Sequence, residues 1–328
     1  MKVLFIGGTG NISASLSRLC IERGIDLYLL NRGTTKVEIP GTKIIKGDIS
    51  NVNEINSLLK DHTWDCVVNW IVFTVDEIER DINLFRNKTK QYIFISSASV
   101  YQKPPTYPVI TESTPLYNPV WDYSQNKIAC EERLVRAYRE ENFPFTIVRP
   151  SHTYDTMIPL AIGGGREYTI IDRMKKGKKV IVHGDGTSLW TLTHSEDFAK
   201  AFFGLIGNQQ AIGHPFHITS DESLTWNQIY ETVAEAAGCK PNIIHIPSDF
   251  IVQQESSFIG NLLGDKSYSV IFDNTKIKTF VPEFKAIIPF SQGIKRTLAW
   301  FEADPERQII KEETNETMDR IIKAYQKQ

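Results

Sequence analysis

The sequence lacks any long apolar run. Across its 328 residues no stretch reaches the roughly 20 hydrophobic positions that a bilayer-spanning helix requires. The first residues form a short buried-strand pattern with no cleavage site behind it. No membrane partner or secretory leader is expected, and the chain reads as soluble and cytoplasmic. Cysteine is scarce: Cys20, Cys66, Cys130 and Cys239 are scattered, with no C-x-x-C pair. Three lie inside apolar or helical patterns, which points to buried free thiols rather than disulfides or metal ligands. A surplus of charge is missing too. Lys and Arg number 37 against 39 Asp and Glu, for a net charge of −2 and a pI near 6.4. Nothing global draws the chain to nucleic acid or to an anionic membrane. Internal repeats and low-complexity tracts are also absent.

What is present is alternation. The hydrophobic fraction of 41% supports a large core in one or two domains. Short apolar runs occur at Lys2–Ile6, Asp26–Leu30, Lys43–Ile45, Cys66–Asn69, Tyr92–Ile95 and Phe145–Val148. Helical patterns lie between them, at Ser13–Arg23, Val52–Lys60 and Tyr123–Asn142 among others. Repeated strand–helix units with strands apolar on both faces predict an α/β fold with a doubly wound parallel sheet. After Arg149-Pro150 the pattern changes. Gly163-Gly164-Gly165 interrupts it, strand-like Lys179–His183 runs into Gly184-Asp185-Gly186, and helices are expected at Ser195–Ile206, Thr225–Ala237 and Gln292–Glu302. The expected organisation is a first domain over 1–150, with 195–218 returning to its sheet, and a smaller mixed α/β domain over 151–328.

The turn Gly7-Gly8-Thr9-Gly10-Asn11-Ile12-Ser13 follows the first strand directly. Glycines there allow φ > 0 and close approach of backbone N–H groups to a pyrophosphate, and the helix N-terminus adds positive potential. Ser13 holds the third small position, where close helix–strand packing is needed. Gly7, Thr9, Gly10, Asn11 and Ile12 are therefore candidate ligands of a dinucleotide. An acidic residue at the end of the second strand would select NAD by bonding its ribose. This chain has Asn31-Arg32 instead, and arginine can pair with a 2′-phosphate. The expected cofactor is NAD(P), with NADP favoured over NAD, although a solvated loop arginine is the plainer account. Asp48 and Ile49, after the third strand, are expected beside the adenine.

Tyr123 and Lys127 stand four apart on a predicted helix and share a face. The Lys127 ammonium would favour phenolate and so lower the tyrosine pKa, making Tyr123 a usable proton carrier near neutral pH. Ser97 could hydrogen-bond the substrate oxygen as charge develops. His194 and Asp197 read as a helix start, and neither they nor His183 belong to a metal-ligand spacing, so no metal is expected. Arg166, after the glycine triplet, either meets an anionic substrate or is simply solvated.

Together these residues resemble the extended short-chain dehydrogenase/reductase family, the NAD-dependent epimerase/dehydratases, over nearly the whole chain. Gly7–Ser13 resembles its cofactor turn, Ser96-Ser97-Ala98-Ser99-Val100-Tyr101 its serine strand, and Tyr123-Ser124-Gln125-Asn126-Lys127 its catalytic helix. Arg149-Pro150, Gly184-Asp185-Gly186-Thr187 and Phe290-Ser291-Gln292-Gly293-Ile294 resemble further landmarks. The resemblance implies a Rossmann domain with a small substrate domain, and catalytic roles for Ser97, Tyr123 and Lys127. It also implies cofactor contacts at Lys127 and Pro150, and pairing as a homodimer through the helix that carries Tyr123.

The chain also departs from that family. Where nucleotide-sugar members usually hold a diphosphate with arginine, Trp190 stands after the Gly-Asp-Gly turn, and Leu262-Leu263 precede Gly264-Asp265. His152 stands where an asparagine is usual. A diphosphate without arginines would be poorly compensated, unless Arg166 or Arg173 substitutes. Ala98 and Ser99 supply no acid or base for dehydration. Ser99, His152, Arg166 and Trp190 are the candidate substrate residues.

The expected function is an NAD(P)-dependent oxidoreductase or epimerase acting by hydride transfer on a small hydroxyl- or carbonyl-bearing, sugar-like molecule. Two alternatives remain open. One is a nucleotide-sugar epimerase with other phosphate ligands. The other is a cofactor-sensing or RNA-binding protein without turnover, since the substrate half loosely resembles the chloroplast stem-loop RNA-binding proteins. The basic run Lys175–Lys179 supports that alternative; the missing basic surplus and the complete Ser97–Tyr123–Lys127 set oppose it.

Overall fold

Seven short strands pair into one parallel sheet in a computed structural model that describes residues 1–35 and 37–327. They are Lys2–Ile6, Asp26–Asn31, Lys43–Lys46, Cys66–Asn69, Tyr92–Ile95, Phe145–Pro150 and Pro215–Ile218. Numbered in chain order, they lie 3-2-1-4-5-6-7 across the sheet. The sheet is of Rossmann type. Chain order reverses beside the first strand, which pairs with both the second and the fourth. Such a switch point leaves a crevice at the carboxyl ends of the strands.

Alternation along the strands builds two cores. Val3, Phe5, Leu27, Leu29 and Val68 face one layer, which holds Leu16 and Cys20 of the Ser13–Glu22 helix and Phe198 and Phe202 of the Ser195–Leu205 helix. Leu4, Ile6, Val67 and Phe94 face the other, against Ile78, Ile82, Cys130 and Leu134. Burial on both faces explains why these strands read as continuous apolar runs. The third strand is the exception. Lys43–Lys46 is an exposed edge, and its lysines discourage pairing with another chain.

Local signals set the helix ends. Thr74 and Glu77 form a reciprocal capping box for Val75–Phe85, and Thr225 and Gln228 do the same for Trp226–Ala236. His194 caps Ser195–Leu205 by accepting the Glu196 N–H at 3.2 Å. The Asp122–Glu141 helix ends at Asn142, whose left-handed φ of 55° stops it.

Pro215–Ile218 pairs in parallel with Phe145–Pro150, and the Ser195–Leu205 helix packs on Ser13–Glu22. The rest of the second half has its own core around Trp226, Tyr230, Ile246 and Phe301. Small sheets support it: Lys179–His183 with Asn242–Ile246, His152–Tyr154 with Leu192–His194, and Leu189–Trp190 with Leu224–Thr225. Arg173, considered from the sequence as a phosphate ligand, is committed here instead. Its guanidinium is buried and bonds the Lys179 carbonyl, Asn315 and Asp319, tying the Thr169–Lys175 helix to the last helix.

Candidate active site

Above the switch point lies a cleft of about 690 Å³. The glycine turn forms its floor. Gly7 and Gly8 have φ of +94° and +102°, and a Cβ on Gly8 would meet Leu29 Cδ2 at 2.7 Å. Only glycine fits there without displacing the sheet. The Ser17 hydroxyl donates to the Gly8 carbonyl at 2.8 Å, and Ser13 Oγ accepts the Gly10 N–H at 2.8 Å. Ile12 precedes the Ser13–Glu22 helix and caps it with no side chain. A helix start without a side-chain cap can offer its first amides to an anion. Asn11 clamps the turn to the second half of the chain. Its amide donates to the Thr153 carbonyl and its oxygen accepts the Thr156 N–H, both at 3.1 Å.

At the far end Asn31 Oδ1 accepts the Gly33 N–H at 3.0 Å. The Arg32 side chain is 68% exposed and lies 4.0 Å from the Asp48 carboxylate. Asp48 accepts the Ser50 N–H at 2.9 Å, which holds its carboxyl below the usual range. Thr9, Ile49, Lys127 and Pro150 line the same cleft. So does Arg166, an exposed residue; it faces this cleft and not the smaller pocket beside Tyr123. The cradle and the open helix start suit a dinucleotide with a pyrophosphate.

Tyr123 and Lys127 line the cleft, and the Ser97 hydroxyl stands at the Tyr123 phenol. Ser97 follows the fifth strand in extended conformation and shares a 2.9 Å hydrogen bond with Ser99. Ser99 also accepts the Ser124 hydroxyl at 2.7 Å, so its own hydroxyl is already engaged. Its strongest part is to hold Ser97 in place. Lys127 is 2% exposed and its Nζ donates to the carbonyls of Val72 at 2.5 Å and Ile95 at 2.8 Å. Burial pulls its pKa down to about 8, against the weaker opposing pull of Glu77 and Glu131.

The expected effect of Lys127 on Tyr123 does not occur in this arrangement. The Tyr123 phenol is held above its usual pKa, chiefly by burial and further by the charge of Asp265; the Ser97 hydroxyl pulls the other way and loses. Lys127 Nζ lies 5.7 Å from the tyrosine ring centroid and is directed at main-chain carbonyls. Desolvation outweighs the ammonium at that distance.

Tyr123 also lines a second pocket, of about 250 Å³. Ser97, Ser99, His152 and Trp190 line it as well. Trp190 is 3% exposed and stacks near Trp226, with ring centroids 5.5 Å apart. His152 is held neutral, with its pKa pushed far down by burial and by Lys266.

Two charged residues in this pocket, Lys103 and Lys266, escaped the sequence reading, and a third, Asp265, entered it only as part of the Gly264-Asp265 pair. A search for arginine before Gly264-Asp265 meets Leu262, which is buried in the core. Leu262–Lys266 form a π-helical turn, whose extra residue per turn shifts which side chains face the pocket. Lys266 directly after the Gly-Asp pair was the available signal.

A parallel Rossmann sheet with a glycine turn after its first strand and Tyr123 and Lys127 beside Ser97 defines an enzyme of the extended short-chain dehydrogenase/reductase type. The chain belongs to the NAD dependent epimerase/dehydratase family, whose model matches residues 3–219. Among similar proteins, the chloroplast stem-loop binding protein of 41 kDa b from Arabidopsis thaliana is 28% identical over 273 residues, covering 78% of this chain and 69% of that one. A UDP-glucose 4-epimerase from Lactobacillus helveticus is 25% identical over 240 residues, covering 61% and 70%. Of solved structures, Pal from Bacillus thuringiensis matches with a TM-score of 0.75 at 18% identity, covering 92% and 99%. The UDP-glucose 4-epimerase from Bifidobacterium longum, in complex with NAD+ and UDP, matches at 0.73 and 18%, covering 94% and 100%. Likeness at those identities carries the fold alone. Among the described residues, no helix is long and apolar enough to cross a membrane.

Proposed function

We propose that the chain binds a nicotinamide dinucleotide in the large cleft and moves a hydride and a proton on a small, sugar-like molecule in the adjoining pocket. The observation that carries this is the position of Tyr123, which lines both spaces beside Ser97. Residues 1–150 with 195–218 would form the cofactor half, and the remainder the substrate half. The bound cofactor would supply or accept the hydride. Tyr123 would pass the proton to or from the substrate oxygen. The phenol is protonated at neutral pH and so carries a proton to donate to a carbonyl, with burial and Asp265 opposing its release. Ser97 would hydrogen-bond that oxygen as charge develops. Lys127 would bring a positive charge beneath the site and bond the cofactor's nicotinamide ribose.

Size and charge bear on the substrate. A volume of about 250 Å³ falls below the roughly 300–1,000 Å³ of typical ligand pockets, which favours a small molecule over a nucleotide sugar. The named epimerase relatives favour the nucleotide sugar, with Lys103 and Lys266 as replacement phosphate ligands. Dehydration is disfavoured because Ala98 and Ser99 offer no acid. The stem-loop binding relative favours a non-catalytic role, which the net charge of −2 opposes. Arg32 favours NADP, whereas the NAD in the named neighbour favours NAD. We also propose a homodimer through the Asp122–Glu141 helix, whose outer face exposes Tyr138.

Nicotinamide fluorescence during titration with NADPH and NADH tests the reading. Micromolar binding, about −8 kcal/mol, is expected for NADPH. NADH should bind at least tenfold more weakly, and Arg32→Ala should remove the difference. Tyr123→Phe should bind NADPH as the wild type does and lose proton-coupled turnover by roughly 100-fold or more. Binding of neither dinucleotide would overturn the proposal.

A further inference from the structure

The small pocket is short of acceptors. Lys103 is 3% exposed, and among the described residues its ammonium pairs with one carboxylate, Asp265 Oδ1 at 3.3 Å. The Lys266 ammonium meets the other oxygen of Asp265 at 3.5 Å and Asn261 Oδ1 at 2.6 Å. Charge-assisted N–H···O bonds usually measure about 2.7–2.9 Å, so the shared carboxylate grips neither lysine closely. Each ammonium carries three donors, and Asp265 and Asn261 do not use them up. Two more polar atoms belong to residues of the same wall. Trp190 Nε1 and His152 Nδ1 are buried with no partner among the described residues. Both ammonium groups lie over the Trp190 ring, at 5.9 and 5.5 Å from its centroid.

Charge agrees with this count. Lys103 and Lys266 face one carboxylate, and His152 is neutral, so the pocket holds a net positive charge out of water. Such a charge is expensive when left uncompensated. An arrangement made only for stability would close it with a second carboxylate or with apolar groups.

We propose that the substrate carries a compact anionic group, a carboxylate or a phosphate, that seats between the ammonium groups of Lys103 and Lys266. Trp190 Nε1 and a suitable tautomer of His152 complete its hydrogen bonds. The anion then lies one small molecule away from Tyr123 and Ser97, which line the same pocket. This deepens the proposed function and rests on it for the chemistry, but binding of the anion is measurable without turnover. The lysines thus stand in for missing arginines in charge. They do so as two separate point charges, which suit a compact anion better than a bidentate fork does.

The test is calorimetric titration of the full chain, saturated with NADP+, against inorganic phosphate, acetate and neutral glycerol. Saturation by the dinucleotide keeps phosphate out of the pyrophosphate cradle. Saturable millimolar binding is expected for one of the two anions, and which one answers tells phosphate from carboxylate. Glycerol should give none. Lys103→Met and Lys266→Met should each weaken that anion by roughly tenfold or more, with dinucleotide affinity within about twofold of wild type as the control for folding. Should a methionine variant fail that control, Lys103→Gln and Lys266→Gln replace it with the same expectation. Absence of saturable binding of either anion by the wild type, or undiminished binding in the lysine variants, overturns the inference. Loss of dinucleotide binding in the wild type would instead overturn the proposed function.

Discussion

Lys127→Met should make the cofactor-free protein more stable at neutral pH while removing a residue of the active site. The wild-type ammonium is buried, and its pKa falls from 10.5 to about 8 because desolvation outweighs the pull of Glu77 and Glu131. That fall corresponds to about 3 kcal/mol of lost stability at neutral pH. Below pH 8 the lysine is charged in both states, and the folded state bears the whole penalty. Between about pH 8 and 10.5 the folded lysine releases its proton and the unfolded one keeps it. Unfolding then takes up a proton, so stability rises with pH across that window. Methionine is neutral throughout and carries no such penalty. It does leave the Val72 and Ile95 carbonyls without the donor they have now, at about 1 kcal/mol each. The variant should therefore gain about 1 kcal/mol at pH 7, lose about 1 kcal/mol by about pH 9.5, and cross the wild type near pH 9. Urea unfolding of both proteins at several pH values measures this, and taking their difference cancels every group they share. A variant less stable than wild type at pH 7, by an amount that does not change with pH, would refute the reasoning.

Gly8→Ala places a methyl group 2.7 Å from Leu29 Cδ2 at a φ of +102°. It should lower stability by about 1–3 kcal/mol and weaken NADPH at least tenfold, read from thermal melts and fluorescence titration. Arg173→Met strips the buried guanidinium from the Lys179 carbonyl, Asn315 and Asp319. Stability should fall by about 3 kcal/mol with NADPH affinity unchanged; weakened dinucleotide binding in a folded variant would show that the arginine reaches the site after all.

Legibility followed the range of the forces involved. Strands buried on both faces announce themselves as apolar runs, so Lys2–Ile6, Cys66–Asn69 and Tyr92–Ile95 could be read directly. The glycine turn was legible because a positive φ beside a close-packed sheet excludes other residues. Asn242–Ile246 was not, because half-exposed residues there alternate weakly and the strand exists by pairing with Lys179–His183, far away in sequence. The two-residue strands carry no periodic signal at all. Lys103 and Lys266 were missed for a related reason. Lysine is ordinarily a surface residue, and nothing local says that positions 103, 190 and 265 meet. Arg173 was misjudged in the opposite sense, since its partners on the last helix lie beyond any local pattern.

The sign of the Tyr123 shift ties these points together. A phenol yields its proton beside positive charge and keeps it beside negative charge or in a dry environment. Here burial and Asp265 hold the proton on, while Lys127 spends its ammonium on two carbonyls. On the pocket side, Lys103 and Lys266 presently blunt the field of Asp265 by pairing with it. An anion seated between them would draw that positive charge to itself and add its own negative charge. Tyr123 would then hold its proton more firmly, until a carbonyl oxygen becoming alkoxide competes for it. On this reasoning, the lysine pair would select a substrate by charge, and the seated anion would keep Tyr123 protonated until the substrate oxygen takes the proton. That selection would account for two buried cations that packing alone would disfavour.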